Sequence, residues 1–119
     1  MNQKQTLSEG TLQLQTSYII GEGASVHFFM DHTTKRVVKI FFHEDVNVLY
    51  ENKDEATLDT YIDVMTGVLY ALEGDETTQL IEDLELYSYP DGVRTHTTKR
   101  ANYTFTGKKN IATLTILPI

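Results

Sequence analysis

Period-two alternation opens the patterned part of the chain: Leu12 and Leu14 flank Gln13, and Tyr18 and Ile20 follow, which predicts a strand over about 11–20. Gly21-Glu22-Gly23 then breaks the alternation with a tight-turn signal. Two further strands are expected at about 25–31 and 36–43, joined by the loop from Asp31 to Arg36. If Phe28 pairs with Ile40, then Val26, Phe28, Met30, Val38, Ile40 and Phe42 share one apolar face, and a one-residue slip would break that set. The opposite face carries His27, Phe29, Val37, Lys39, Phe41 and His43 and is mixed.

Residues Val46–Tyr50 alternate weakly and suit a short strand or an approach loop. The clearest element follows. Leu58, Tyr61, Ile62, Met65, Val68, Leu69 and Leu72 recur at the spacing of one helix face, predicting an amphipathic helix near 53–73. Asn52 with Glu55 three residues on resembles a capping box, and Gly74 suits the position just past the helix end. Gly67 costs that helix roughly 1 kcal/mol against Ala, for which close packing on a sheet is the expected reason.

The last third reads as hairpins. Tyr89-Pro90-Asp91-Gly92-Val93 fits a three-residue loop, a register that opposes Tyr87 to Thr95, Asp83 to Lys99 and Glu82 to Arg100. A turn at Gly107-Lys108-Lys109-Asn110 leads into a final strand at about 111–117. Strands, one long helix and more strands make an α+β domain. Six or seven antiparallel strands, whose twist allows the sheet to half-close, would pack on the 53–73 helix. Residues 1–10 are polar and read as a flexible tail, leaving 11–119 as the single domain.

Composition narrows the function classes. Forty per cent of the 119 residues are hydrophobic, too many for a disordered chain. The absence of cysteine removes disulfides, thiolate zinc sites and thiol catalysis. No apolar run approaches the roughly 20 residues that span a bilayer, and residues 1–10 lack a signal-peptide core, so a cytoplasmic protein without membrane contact is expected. The net charge of −7 argues against direct nucleic-acid binding, which depends on clustered Lys and Arg.

That charge is unevenly placed. Residues 1–43 carry +1, residues 44–91 carry −13, with Lys53 their single base, and residues 92–119 carry +5. On the helix, Glu55, Asp59 and Asp63 stand four apart, and Glu73, Asp75 and Glu76 cluster at its end. These six residues are the candidate partner-binding set for a basic protein surface. Solvation of an ordinary helix face, or cancellation of Glu82 and Asp83 by Arg100 and Lys99, would explain the same acidity without a partner.

Motifs for chemistry are sparse. The stretch Ile20-Gly21-Glu22-Gly23-Ala24-Ser25 with Val37-Val38-Lys39-Ile40 resembles the opening of a protein-kinase small lobe, a resemblance confined to residues 18–60. It would make Lys39 the phosphate-pairing lysine and Glu55 its helix partner. However, Val26 stands where the third glycine belongs, and no His-Arg-Asp or Asp-Phe-Gly segment follows. His27, His43 and Asp45 supply nitrogen and oxygen donors, but their spacing matches no zinc pattern, so neither a metal nor another cofactor is expected. His43, Asp45, Tyr50, Asp63, His96 and Tyr103 are suitable acid–base groups without any pair standing out, which favours a non-catalytic protein. Tyr87, Tyr89 and Tyr103 suit either an interface or packing under the helix.

The expected function is therefore a small acidic interaction or regulatory domain of adaptor, inhibitor or immunity type. Its partner would be a basic protein surface or a second copy of itself. The alternative is a small-molecule-binding or catalytic domain with a pocket between helix and sheet, for which Phe29, Phe41, His43, Tyr61 and Met65 are the candidate lining.

Overall fold

The alternating segments pair into one open antiparallel sheet. The computed structural model describes residues 2–8, 11–88 and 91–119, with side chains from Gln13 onward. The strands are β1 (Asn2–Ser8), β2 (Thr11–Gly21), β3 (Ala24–Asp31), β4 (Val37–Asp45), β5 (Gly92–Thr97), β6 (Ala101–Lys108) and β7 (Ile111–Pro118). Three helices, α1 (Val46–Glu51), α2 (Glu55–Glu73) and α3 (Thr77–Leu84), separate β4 from β5, with a short 3₁₀ turn at Gly74–Glu76 between α2 and α3. The spatial order is β1-β2-β3-β4-β7-β6-β5, so two meanders join through β4 and β7 and the helices cross one face. This is an α+β fold. Among the described residues no helix is long and apolar enough to cross a membrane.

The register of β3 and β4 follows from their apolar pattern. Phe28 opposes Ile40 and Val26 opposes Phe42, until a bulge after Phe29 sets Met30 against Val37. Asp31 shapes the following turn by accepting from the Thr33 and Thr34 amides at 2.9 and 2.7 Å, an Asx turn that lets Lys35 take a positive φ of 61°. The inner face of the sheet continues through Leu114 and Ile116 on β7 and Tyr103 and Phe105 on β6, all buried. Against them α2 lays Tyr61, Met65 and Leu69, with Leu58, Ile62, Val68 and Leu72 half-buried on the flanks of the stripe. Phe42 and Tyr61 meet edge-on with centroids 5.9 Å apart.

Several elements differ from the sequence expectation. Residues 2–8, read as a tail, run antiparallel to β2 from Asn2 opposite Ser17 to Ser8 opposite Thr11. Val46–Glu51 is a helix rather than a strand, because the Asp45 side chain caps it by accepting from the Val48 amide at 3.2 Å. Its end consumes Asn52, whose amide donates to Val48, so the capping role for α2 falls to Asp54 instead. Asp54 accepts from the Thr57 amide at 3.1 Å and the Thr57 hydroxyl at 2.6 Å.

The hairpin expected around 82–100 is replaced by α3. Thr77, Leu80 and Leu84 are its buried face, a helical spacing that the Leu84–Leu86 alternation obscures. Glu85 ends it in the left-handed region at φ 53°, and the Leu86 amide returns to the Ile81 carbonyl. Glu82 and Asp83 are consequently exposed helix residues, and Lys99 and Arg100 lie in the β5–β6 turn without them. Tyr89 and Pro90 of the expected loop lie outside the described residues. The β6–β7 turn does form, with Lys109 and Asn110 both at positive φ, as a two-residue hairpin demands. Gly67, finally, faces open space rather than the sheet.

Candidate functional site

Two features of the helical side of the molecule stand out, a charged surface and a cavity. Residues 46–85 contain eleven acids and one base, Lys53, while the nine other bases lie on strands or strand turns. The helical layer therefore carries a net charge of −10, against +3 on the rest of the chain. Glu55, Asp59 and Asp63 project from α2 into solvent four residues apart, and Asp75, Glu76, Glu82 and Asp83 are exposed beyond its end. Among the described residues no ion pair reaches any of these seven. Elsewhere in the layer Arg94 pairs with Glu85, and Asp54 and Glu73 accept hydrogen bonds from neighbouring hydroxyls. Like charges at this spacing cost the helix roughly 0.2–0.5 kcal/mol per pair.

Glu73 behaves differently from its five companions in the candidate set. It is half-buried, and its Oε2 accepts from the Tyr103 hydroxyl at 2.6 Å and from the Thr98 hydroxyl at 2.7 Å. Burial first, and then the Glu73 carboxylate beside it, push the Tyr103 phenol well above its ordinary range. The Thr98 hydroxyl in turn accepts from the amides of Arg100 and Ala101, and Arg100 reaches the Leu72 carbonyl. Glu73 is the clamp that fixes the end of α2 to the β5–β6 turn.

The pocket residues expected from sequence do not converge. Phe29, Phe41 and His43 lie on the outer sheet face, whereas Tyr61 and Met65 are buried beneath α2 on the inner face. The sheet stands between the two groups. On the outer face Lys39 Nζ lies 5.1 Å from the Phe29 ring and 5.8 Å from the Phe41 ring. His27 leans on Phe41 and is bonded to the hydroxyls of Ser17 at 2.7 Å and Ser25 at 3.0 Å. Among the described residues no three His, Cys, Asp or Glu side chains are grouped to hold a metal ion.

The glycines of the kinase-like stretch have a packing explanation. A Cβ on Gly21 would stand 2.3 Å from the Thr57 hydroxyl oxygen, and one on Gly23, at φ +88°, would stand 3.1 Å from Val48. The β2–β3 turn thus lies directly against α1 and the start of α2. Lys39 and Glu55 occupy opposite sides of the sheet, so the lysine–glutamate pair of that resemblance does not form.

A cavity of about 290 Å³ opens where β4, α1 and α2 meet. Its lining includes Glu44, Val46, Leu49 and Leu58, with the exposed Tyr50, Lys53 and Glu55 towards solvent. Glu44 occupies an inner-face position of β4, two residues beyond the buried Phe42, and is only 1 % exposed. Its cross-strand neighbours are Ala24 on β3 and Ala112 on β7, and Ala112 in turn opposes Gly107 on β6. Glu44 is the one long side chain in a row of small residues, which is why space remains above it. Asp54 also lines the cavity. Its carboxyl is held below the ordinary carboxylate range by the Thr57 hydroxyl and then the Thr57 amide.

The backbone around this cavity is pinned from both sides. The Asp45 amide donates to the Gly23 carbonyl at 2.7 Å, and the Val46 amide donates to the Asn110 carbonyl at 2.9 Å. Nothing in the one-dimensional pattern marked Glu44. Its significance comes from neighbours roughly 20 and 70 residues away in the chain that the sheet brings alongside. Scans against protein-family models, curated proteins and solved structures each found no match to the chain.

Proposed function

We propose that the protein is a small interaction domain of adaptor, inhibitor or immunity type, whose acidic helical layer docks a basic partner surface. The supporting observation is the segregation of charge between layers: eleven acids against one base on residues 46–85. The cancellation between hairpin strands that would have explained part of this acidity away is missing, since Glu82 and Asp83 belong to α3. An anionic face of this kind accelerates encounter with a cationic partner and loses that advantage as salt screens it. Glu55, Asp59, Asp63, Asp75 and Glu76 form the contact set, and Glu73 supports it from below.

The test is capture of partners from source-cell lysate by the wild type and by the double variant Asp59→Lys/Asp63→Lys. Basic proteins retained at low salt, released at high salt and lost with the variant are the expected result. An identical partner set with both proteins and at both salt levels would remove the proposal.

A further inference from the structure

α2 and α3 both pack into the core beneath the inner face of the sheet, and among the described residues no element covers the outer face. The three central outward positions of each of the six strands from β2 across to β5 make eighteen residues, of which Lys39 alone is charged. About four would be expected from the 23 % of charged residues in the chain. Asp31, Asp45 and Lys108 stand at strand ends, around this field. Within and beside it, Ile19, Val93, Ile111 and Leu117 are each more than 40 % exposed. A neutral, partly apolar centre with charge at its rim is the composition of a protein–protein contact. We propose that this face is the interface of a homodimer, two copies packing sheet on sheet about a two-fold axis that runs along the strands between β4 and β7. This goes beyond the docking of a basic protein surface, because it uses the side of the molecule opposite the acidic layer.

Shape, area and charge each select a second copy as the occupant. β3 and β4 present His27, Phe29, Phe41 and His43 outward, whereas β6 and β7 present Thr104, Thr106, Thr113 and Thr115. The axis lays β3 and β4 of one copy over β6 and β7 of the other, so large side chains meet small ones in both halves. Ile19 and Val93 are the most exposed apolar side chains of the described strands. They end one cross-strand row, Ile19–Ser25–His43–Thr113–Thr106–Val93, and the same axis sets Ile19 over the partner's Val93. The ammonium of Lys39 already lies over the Phe29 and Phe41 rings, which balance part of its charge inside the contact. Six strands about 4.8 Å apart and about eight residues long span roughly 29 by 26 Å, or about 750 Å² on each copy. Two copies remove about 1,500 Å², within the roughly 1,200–2,000 Å² of stable interfaces. Pairing through the helices would set one layer of net charge −10 against another. Pairing through the sheets holds those layers more than about 20 Å apart, two Debye lengths at ordinary ionic strength.

Sedimentation of the full chain at about 100 μM should give twice the chain mass of 13.6 kDa. Thr104→Arg, which puts a charge inside the face of both copies, should weaken dimerisation at least about a hundredfold while the thermal melt stays cooperative. Should Thr104→Arg fail to fold, crosslinking decides. The chain has no cysteine, so Ile19→Cys/Val93→Cys introduces the only thiols. Within one copy these sites lie on β2 and β5, about 24 Å apart across the sheet, but they face each other across the interface. A short bismaleimide should link the double variant into covalent dimers and leave Ile19→Cys or Val93→Cys alone largely unlinked. Asp59→Lys/Asp63→Lys should leave the dimer mass unchanged, which separates this interface from the acidic layer. A single-chain mass at about 100 μM, a dimer indifferent to Thr104→Arg, a dimer lost with Asp59→Lys/Asp63→Lys, or single-cysteine variants that link as well as the double one would overturn the proposal.

Discussion

Replacing Tyr103 by Phe removes one hydroxyl and leaves the ring in place, and so isolates the clamp at the end of α2. The Tyr103 hydroxyl donates to Glu73 Oε2 at 2.6 Å, within the range of hydrogen bonds to an ionised acceptor. Bonds to charged groups contribute about 1.5–3 kcal/mol net. Glu73 keeps a second donor in Thr98 and is only half-buried, so the expected loss sits at the lower end, about 1.5–2 kcal/mol. For a chain between the small and medium domain sizes, that corresponds to a fall in Tm of roughly 5–10 °C.

Urea denaturation at neutral pH would measure the loss, with a double-mutant cycle through Glu73→Gln reporting the coupling. The pH dependence has a definite sign. A phenol whose folded pKa is raised above its ordinary 10.0 contributes stability that is fully present below that value and declines as pH rises beyond it. Wild type should therefore lose stability above pH 10 more steeply than Tyr103→Phe. A loss under about 0.5 kcal/mol, or strictly additive single mutants, would refute the clamp.

Two glycines should respond to alanine with opposite signs. Gly21→Ala brings a Cβ against the β-branched, hydrogen-bonded Thr57 and should destabilise by about 1–3 kcal/mol in urea titration. Gly67→Ala enters open space on an exposed helix face and should stabilise by about 0.5–1 kcal/mol in the same assay. Asp54, whose carboxyl sits below its ordinary 3.8, contributes stability present above that pH and lost as pH falls through its lower folded value. Asp54→Asn should accordingly flatten the acid limb of a thermal-melt pH series relative to wild type.

The parts of the fold that were legible in sequence are those whose burial pattern is local. The β3–β4 register could be read because only one pairing gathers Val26, Phe28, Ile40 and Phe42 on one face, and α2 because its stripe persists for four turns. Two elements were hidden for physical reasons. β1 pairs through its backbone and carries almost no apolar residue, which leaves an edge strand without a hydrophobic signature. In α3 the buried Leu84 and Leu86 alternate with charged residues as strand residues do, and the Pro-Asp-Gly run downstream supplied a plausible hairpin turn.

The candidate site divided in the same way. Acidic residues on a predicted helix could be placed on its exposed face from spacing alone, and Glu55, Asp59 and Asp63 are there. Glu73 could not be separated from them, because its role depends on Tyr103 and Thr98, some 25–30 residues downstream and brought near only by the β5–β6 hairpin. The expected pocket mixes residues from both sheet faces, since Phe29, Phe41 and His43 lie on the outer face, which α2 does not cover. The actual cavity depends on alanines from two different strands flanking Glu44, a relation that exists only after β7 has paired with β4.

The most direct measurement of the central claim is a residue-resolved amide shift titration with an oligolysine peptide at low and high salt. Shifts concentrated on residues 55–63 and 75–83, reversed by salt and absent in Asp59→Lys/Asp63→Lys, are the result expected of an acidic docking layer. Shifts centred on the outer face of β3, β4 and β7, or a footprint that survives both the salt and the variant, would contradict it.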